Sequence, residues 1–380
     1  MTELPSCGPL VIDNWRASGD SQEPPEVLEY PLFTDAWMTG GTTAFGPYEL
    51  FNTIAHAGMP RDSLKPALVL RVQYHFRHEL PSMEKTNVGS YHGGELQDEV
   101  AALVSLVLGI RLKAGPASRE FPPHGSDPRG VPIAYYGFRE PVLITNSCGR
   151  MLPNALGAHS LDSLKRFPIL PELTQSDGTA LVRSARLYQE SVWIAESDPA
   201  MAWLLMVSAV ECAAHRWDQR YETPVERLRA SRPDLAKILE ERCPDLIDEV
   251  ALRLVESLGA TQKFVKFLLR FLPEPPPARP PVTFRVQWTS RQLKRILSMV
   301  YKYRSQALHA GIPFPAPMCE PPRRVAHDWP APPEKPLGLA ASARGGVWVA
   351  KDVPLHLHVF EYLARGALLN WWQSLTGQNP

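Results

Sequence analysis

The chain has 380 residues with 40 Lys and Arg against 40 Asp and Glu, so it is long enough for two domains with their own cores. A net charge of zero excludes a protein that coats nucleic acid through its overall charge, and any RNA contact must then be a local patch. Cys7, Cys148, Cys212, Cys243 and Cys319 lie far apart with no C-x-x-C, which argues against a disulfide framework or a zinc knuckle and suits a reducing cytosol.

The N-terminus lacks a basic stretch followed by an apolar run, and no apolar stretch reaches about 18 residues. The expectation is a cytoplasmic protein without a membrane segment. Residues 1–175 mix strand-like runs with turns and read as an α+β domain or extension. Pro66 to Phe76 alternates in its second half and predicts a strand, and Pro141 to Thr145 predicts another. Between them Leu96 to Lys113 predicts a helix, with Val100, Leu103, Val104, Val107, Leu108 and Arg111 at three- and four-residue spacing. Gly109 weakens its end. The Pro-, Gly- and Ser-rich stretch from Gly115 to Val131 predicts a loop.

From residue 176 to 380 the pattern is helical. Asp177 is a cap candidate for a helix to about Glu196, and Asp198-Pro199 opens the next. Residues 200–217 are apolar on several faces (Met201, Trp203, Leu204, Leu205, Val207, Val210), as in a central core helix, and Glu211 sits inside it. Leu246 to Leu258 predicts a helix closed by Gly259. Thr261 to Leu272 is amphipathic, with Lys263, Lys266 and Arg270 expected on one basic side. A proline-rich loop covers 273–283, with six prolines within 273–281. A helix capped by Thr289 or Ser290 runs to about 310, and a second proline-rich loop spans 312–336. Gly345-Gly346 before Val-Trp-Val predicts a hairpin, and Leu355 to Leu375 a closing helix with a broad apolar face.

The helix ending at residue 310 carries the most chemistry. At about 100° per residue, Leu293, Ile296, Leu297, Val300, Ala307 and Leu308 form an apolar stripe with Arg304 in its middle. Arg291, Lys294, Arg295 and Lys302 fall on the opposite basic face, together with His309. An arginine on a burying face must be paired with a carboxylate or face a wet cleft. Arg grips phosphate and His moves protons near neutral pH. Together they are the least chemistry needed to cut RNA without a metal. Glu211 is a candidate partner for Arg304 or for His309.

The tract Tyr301 to Gly311, with Arg304-Ser305 followed by Leu308-His309, resembles the RNase motif of the HEPN superfamily, in particular the Apea-like HEPN domains. Glu211 and Glu361-Tyr362-Leu363-Ala364-Arg365 fit the neighbouring helices of that pattern. The resemblance implies a mainly α chain: a C-terminal HEPN-like helical bundle behind an N-terminal α+β domain or extension. It implies a metal-independent endoribonuclease, with Arg304 and His309 catalytic and Ser305, Glu211 and Tyr301 supporting. Arg291, Lys294, Arg295 and Lys302 would hold RNA. No cofactor and no metal is expected. A homodimer, and a partner protein or antitoxin, are the expected partners, as for a toxin or antiviral effector. The alternative is a catalytically silent HEPN scaffold or sensor. Relatives that are regulated through a tyrosine two residues after the histidine differ from this chain, which has Gly311 there.

Other constellations carry less. His75 and His78 fall three apart on a predicted strand and face opposite ways, unlike metal ligands. His356 and His358 precede a helix and read as polar surface. No G-x-x-x-x-G-K-[ST] and no G-x-S-x-G occurs.

Overall fold

The computed structural model describes residues 8–375 apart from 22, 53–62, 76–85, 87, 90, 123–131, 138, 146–148, 219–222, 255–258, 325, 327 and 337. The chain forms two compact units, Met1–Leu205 with Trp371–Pro380, and Met206–Asn370. It is mainly α, with an antiparallel sheet in the first unit.

The first unit opens with helix α1 (Leu10–Asp20), which has no counterpart in the sequence expectations. Strands β1 (Glu26–Thr34), β2 (Trp37–Thr39), β3 (Thr43–Phe45), β4 (Tyr48–Asn52) and β5 (Lys65–Tyr74) follow. Helix α2 (Leu96–Leu108) precedes β6 (Lys113–Ala114), β7 (Arg119–Phe121), β8 (Ala134–Tyr135) and β9 (Ala158–Ser160). The sheet order is β3-β4-β5-β1-β7-β8, with β6 also pairing β1, while β2 and β9 pair in parallel. Glu29 of β1 lies opposite Arg71 of β5 and Arg119 of β7, and pairs with both. Arg71 is packed between rings, 4.9 Å from the Phe51 centroid and 5.0 Å from that of Phe121.

Helix α2 is buried on almost every side, as its near-continuous apolar sequence requires. It stops at Leu108, short of the predicted Lys113. Gly109 takes φ 71°, a left-handed turn that glycine adopts without a Cβ penalty. Arg111 therefore lies outside the helix rather than on its periodic face. It is wholly buried and donates to Asp35 through Nε and Nη2 and to Glu196 through Nη1. Pro141 to Thr145 is irregular and not a strand. The predicted loop 115–131 contains β7, and residues 123–131 lie outside the described residues.

Helix α3 (Gln175–Ile194) is capped by Thr174, not by Asp177. The Thr174 hydroxyl accepts from the Asp177 backbone N–H and donates to its carboxylate, leaving Asp177 buried one turn in. Helix α4 (Pro199–Asp218) starts as predicted, with Asp198 Oδ1 accepting from Met201 N. The division between the units falls within α4.

The second unit adds α5 (Pro224–Ser231), α6 (Pro233–Arg242) and α7 (Ile247–Leu254). The first two are short and charged, and their residues carry no long apolar periodicity. They bury Leu228, Ala236 and Ala251 in a small shared core. Residues 255–258, the predicted end of α7, lie outside the described residues. Helices α8 (Ala260–Arg270), α9 (Ser290–Ala310) and α10 (Leu357–Ser374) complete the unit, with the predicted hairpin β10 (Ala340–Ala343) and β11 (Gly346–Val349) between the last two.

Aromatic contacts join four helices here. Trp217 of α4 lies 6.0 Å from Phe267 of α8, and Phe264 of α8 lies 5.2 Å from Tyr301 of α9 and 6.2 Å from Phe360 of α10. Such edge and tilted ring pairs add to the area they bury. The proline-rich segment 273–283 acts as a brace rather than a free linker. Arg279 forks onto Glu334 at 2.7 Å and lies over Trp288, whose Nε1 donates to the Pro273 carbonyl. Among the described residues no helix is long and apolar enough to cross a membrane.

Candidate functional site

Helix α9 is held at both ends. Thr289 accepts from Gln292 N at the start, and Gly311 closes the other end with φ 65°. The Gly311 and Ile312 N–H groups both reach the Gln306 carbonyl, which terminates the helix. Midway, the Tyr303 hydroxyl donates to the Asp352 carbonyl at 2.5 Å and ties α9 to the segment before α10.

Tyr301 and Arg304 are three residues apart, so both side chains lie on one side of the helix. That side meets α4. The Tyr301 hydroxyl donates to Glu211 Oε1 at 2.7 Å, and Arg304 Nη2 donates to Glu211 Oε2 at 2.7 Å. The guanidinium carbon lies 5.6 Å from the Tyr301 ring centroid. Burial, and then the hydrogen bond to the Glu211 carboxylate, push the Tyr301 hydroxyl pKa up, so it stays protonated and serves as a donor. The Arg304 and Glu211 side chains are 20% and 22% exposed, so the pair lies at the edge of solvent rather than in the core.

Of the five guanidinium N–H groups, one goes to Glu211. Nε is buried and finds no hydrogen-bond partner among the described residues. A buried donor left unpaired is costly, and its presence marks a place where an acceptor would be stabilising. Of the two partners open to Glu211 from the sequence, the structure selects Arg304.

His309 is not part of this cluster. It is exposed and makes no hydrogen bond or ion pair among the described residues. Five residues on a regular helix separate directions by about 140°, so Arg304 and His309 diverge on one chain. Ser305 is half-buried and likewise forms no hydrogen bond among the described residues. Arg291, Lys294, Arg295 and Lys302 are all exposed, on the face that ends at His309.

Three expectations need correction. Lys263 is buried, so the predicted basic side of α8 is interrupted, with Lys266 and Arg270 exposed. Leu308 is not covered with the rest of the apolar stripe: Leu308 is 51% and Ile312 53% exposed. His356 and His358 are not polar surface but buried, with rings stacked 5.9 Å apart and neither Nδ1 atom partnered among the described residues. Burial lowers the His356 pKa to about 4 against a raising contact with the Glu320 backbone. Burial, with His356 as a second cause, lowers that of His358 to about 3. His78 lies outside the described residues, while burial also lowers the pKa of His75. Cys7 and Cys148 also lie outside them, and Cys212, Cys243 and Cys319 are free thiols. Among the described residues no group of three or more His, Cys, Asp and Glu side chains is placed to hold a metal ion.

Comparison with known proteins finds no counterpart: no family model, no curated protein and no solved structure matches the chain.

Proposed function

We propose that this protein is a metal-independent endoribonuclease of HEPN type, acting in the cytoplasm as a toxin or antiviral effector. The observation that carries the reading is Arg304. It is set at the edge of solvent by Glu211 and Tyr301, with an unpartnered Nε, on the helix whose exposed basic face ends in His309. In the proposed reaction His309 takes the proton from a ribose 2′-hydroxyl, and the 2′-oxygen attacks the adjacent phosphorus. Arg304 donates to the phosphorane oxygens as charge builds on them. The 5′-oxygen leaves and takes up a proton, and a 2′,3′-cyclic phosphate remains. Glu211 and Tyr301 are positioning residues for Arg304. Because Arg304 and His309 diverge on one chain, a two-fold homodimer supplies the pairing, His309 from one copy facing Arg304 from the other. A partner protein or antitoxin restrains it.

A second reading has an observation of its own. Arg304 already has a carboxylate partner, and His309 stands apart from it, as suits a silent HEPN scaffold or sensor. One experiment separates the two. Purified protein is incubated with total RNA in EDTA, beside Arg304→Ala and His309→Ala. The ribonuclease reading expects fragments with cyclic phosphate ends from the wild type alone. Intact RNA throughout supports the scaffold, and full cleavage by His309→Ala removes the proposed base.

A further inference from the structure

We propose that the exposed face of α9 is a track for the backbone of unpaired RNA, about four phosphates in reach, which sets a minimum substrate length. The choice of RNA rests on the ribonuclease reading above; the track itself rests on charge and geometry.

The neutral total of the chain hides a local imbalance. Residues 259–370 hold 16 Lys and Arg against 6 Asp and Glu. Within that segment α9 has no acidic residue at all. Arg291, Lys294, Arg295 and Lys302 project within a sector of about 100°. Each is exposed, and none has a hydrogen bond or ion pair from its side chain among the described residues. Elsewhere in the same unit some exposed cations are paired, Arg229 with Glu240, Lys237 with Glu241 and Arg253 with Glu249, while others such as Arg270 have no side-chain partner among the described residues. Like charges at three- and four-residue spacing, as in Arg291, Lys294 and Arg295, repel and weaken a helix. A polyanion laid along the face turns that repulsion into attraction.

The residues between the cations keep the face low. Ser298 turns its hydroxyl back to the Lys294 carbonyl, and Ser305 is small. From Arg291 to His309 the helix rises about 27 Å at 1.5 Å per residue. That length matches about eight stacked nucleotides at 3.4 Å each, and fewer when the strand is extended. An unpaired strand fits the proposed chemistry because the 2′-oxygen must swing into line with the departing 5′-oxygen. A strand locked in an A-form duplex keeps its sugar and phosphate out of that alignment.

The test measures binding without cleavage, using the full chain and labelled 2′-O-methyl RNA, which lacks the attacking hydroxyl. Fluorescence anisotropy across a salt series should give a log–log slope of about −2.8 for an oligonucleotide of about ten residues, four phosphates at about −0.7 each. The combined Arg291→Gln, Lys294→Gln, Arg295→Gln and Lys302→Gln variant should bring the slope near zero and weaken binding at least about tenfold. Arg229→Gln, in a paired cation on α5, should change neither. A trinucleotide should bind far more weakly than the longer strand. A slope unmoved by the four substitutions, equal binding of the trinucleotide, or tighter binding of a duplex would overturn the track. If the track holds while natural RNA is never cut, the cleavage reading alone fails. If RNA is cut while the four substitutions leave binding unchanged, the track alone fails.

Discussion

Glu211 Oε2 lies 2.7 Å from Arg304 Nη2, and the other oxygen of the same carboxylate takes the Tyr301 hydroxyl. One acidic side chain on α4 therefore fixes two residues of α9. A charged hydrogen bond of this kind contributes about 1.5–3 kcal/mol. Glu211→Ala removes the acceptor of both donors, and we expect a loss near 2 kcal/mol in urea unfolding. Glu211→Gln keeps one acceptor oxygen and should lose less. Equal stability of all three proteins would show that the contact contributes nothing in solution.

The same pair yields a prediction for activity. If Glu211 serves to aim Arg304, Glu211→Gln should lower kcat for RNA cleavage while changing KM little, because the proposed phosphate track uses the exposed cations on another face of α9. A rise in KM with unchanged kcat would assign Glu211 to substrate binding instead.

Arg111 holds a buried charge cluster in the first unit. Its guanidinium is wholly buried between Asp35 and Glu196. Removing one member of such a cluster leaves buried charge unmatched, at about 3–5 kcal/mol. Arg111→Ala should lower the melting temperature by many degrees or prevent folding. Arg111→Lys should rescue little, because an ammonium cannot reproduce the Nε and Nη2 fork on Asp35. Near-wild-type melting of Arg111→Lys would contradict this account.

The buried imidazoles of His356 and His358 give a pH dependence. Their folded pKa values, about 4 and about 3, lie below the ordinary 6.5. Above pH 6.5 both are neutral whether folded or not, and their contribution is complete. As pH falls through 6.5 the unfolded chain binds protons that the folded chain refuses, so stability declines toward the folded values. Each imidazole then removes roughly 1.4 kcal/mol per pH unit. Urea midpoints at pH 7 and pH 5 should differ markedly in the wild type and less in His358→Gln. Should that variant fail to fold, His356→Gln supplies the same comparison.

Assembly is the last expectation. The proposed reaction needs a second copy, and the exposed Leu308 and Ile312 flank His309. Light scattering on the full chain should report about twice its 42.4 kDa mass, and Leu308→Glu should shift the protein to monomer with loss of cleavage. A monomer that cuts RNA at full rate would mean that one chain completes the site.

The elements legible in the sequence were those whose own pattern carries them. The apolar sides of α2 and α4, the caps Thr289 and Asp198, the glycine at 311 and the β10–β11 turn all follow from local periodicity and backbone preference. The inward side of Arg304 and the exposed basic face of α9 that ends in His309 follow from the same periodicity. What local pattern could not decide was which distant groups meet. The sequence left Glu211 open between Arg304 and His309; only the packing of α4 against α9 assigned it to Arg304. Leu308 and Ala307 share a helical stripe with Leu297, yet the stripe is covered only where a neighbouring helix reaches it. Arg111 looked like one more turn of α2, and His356 and His358 like surface, because periodicity describes a segment without its surroundings. Burial belongs to the neighbours that tertiary structure brings, and it is burial that turned those three side chains into an ion-pair centre and a neutral imidazole pair.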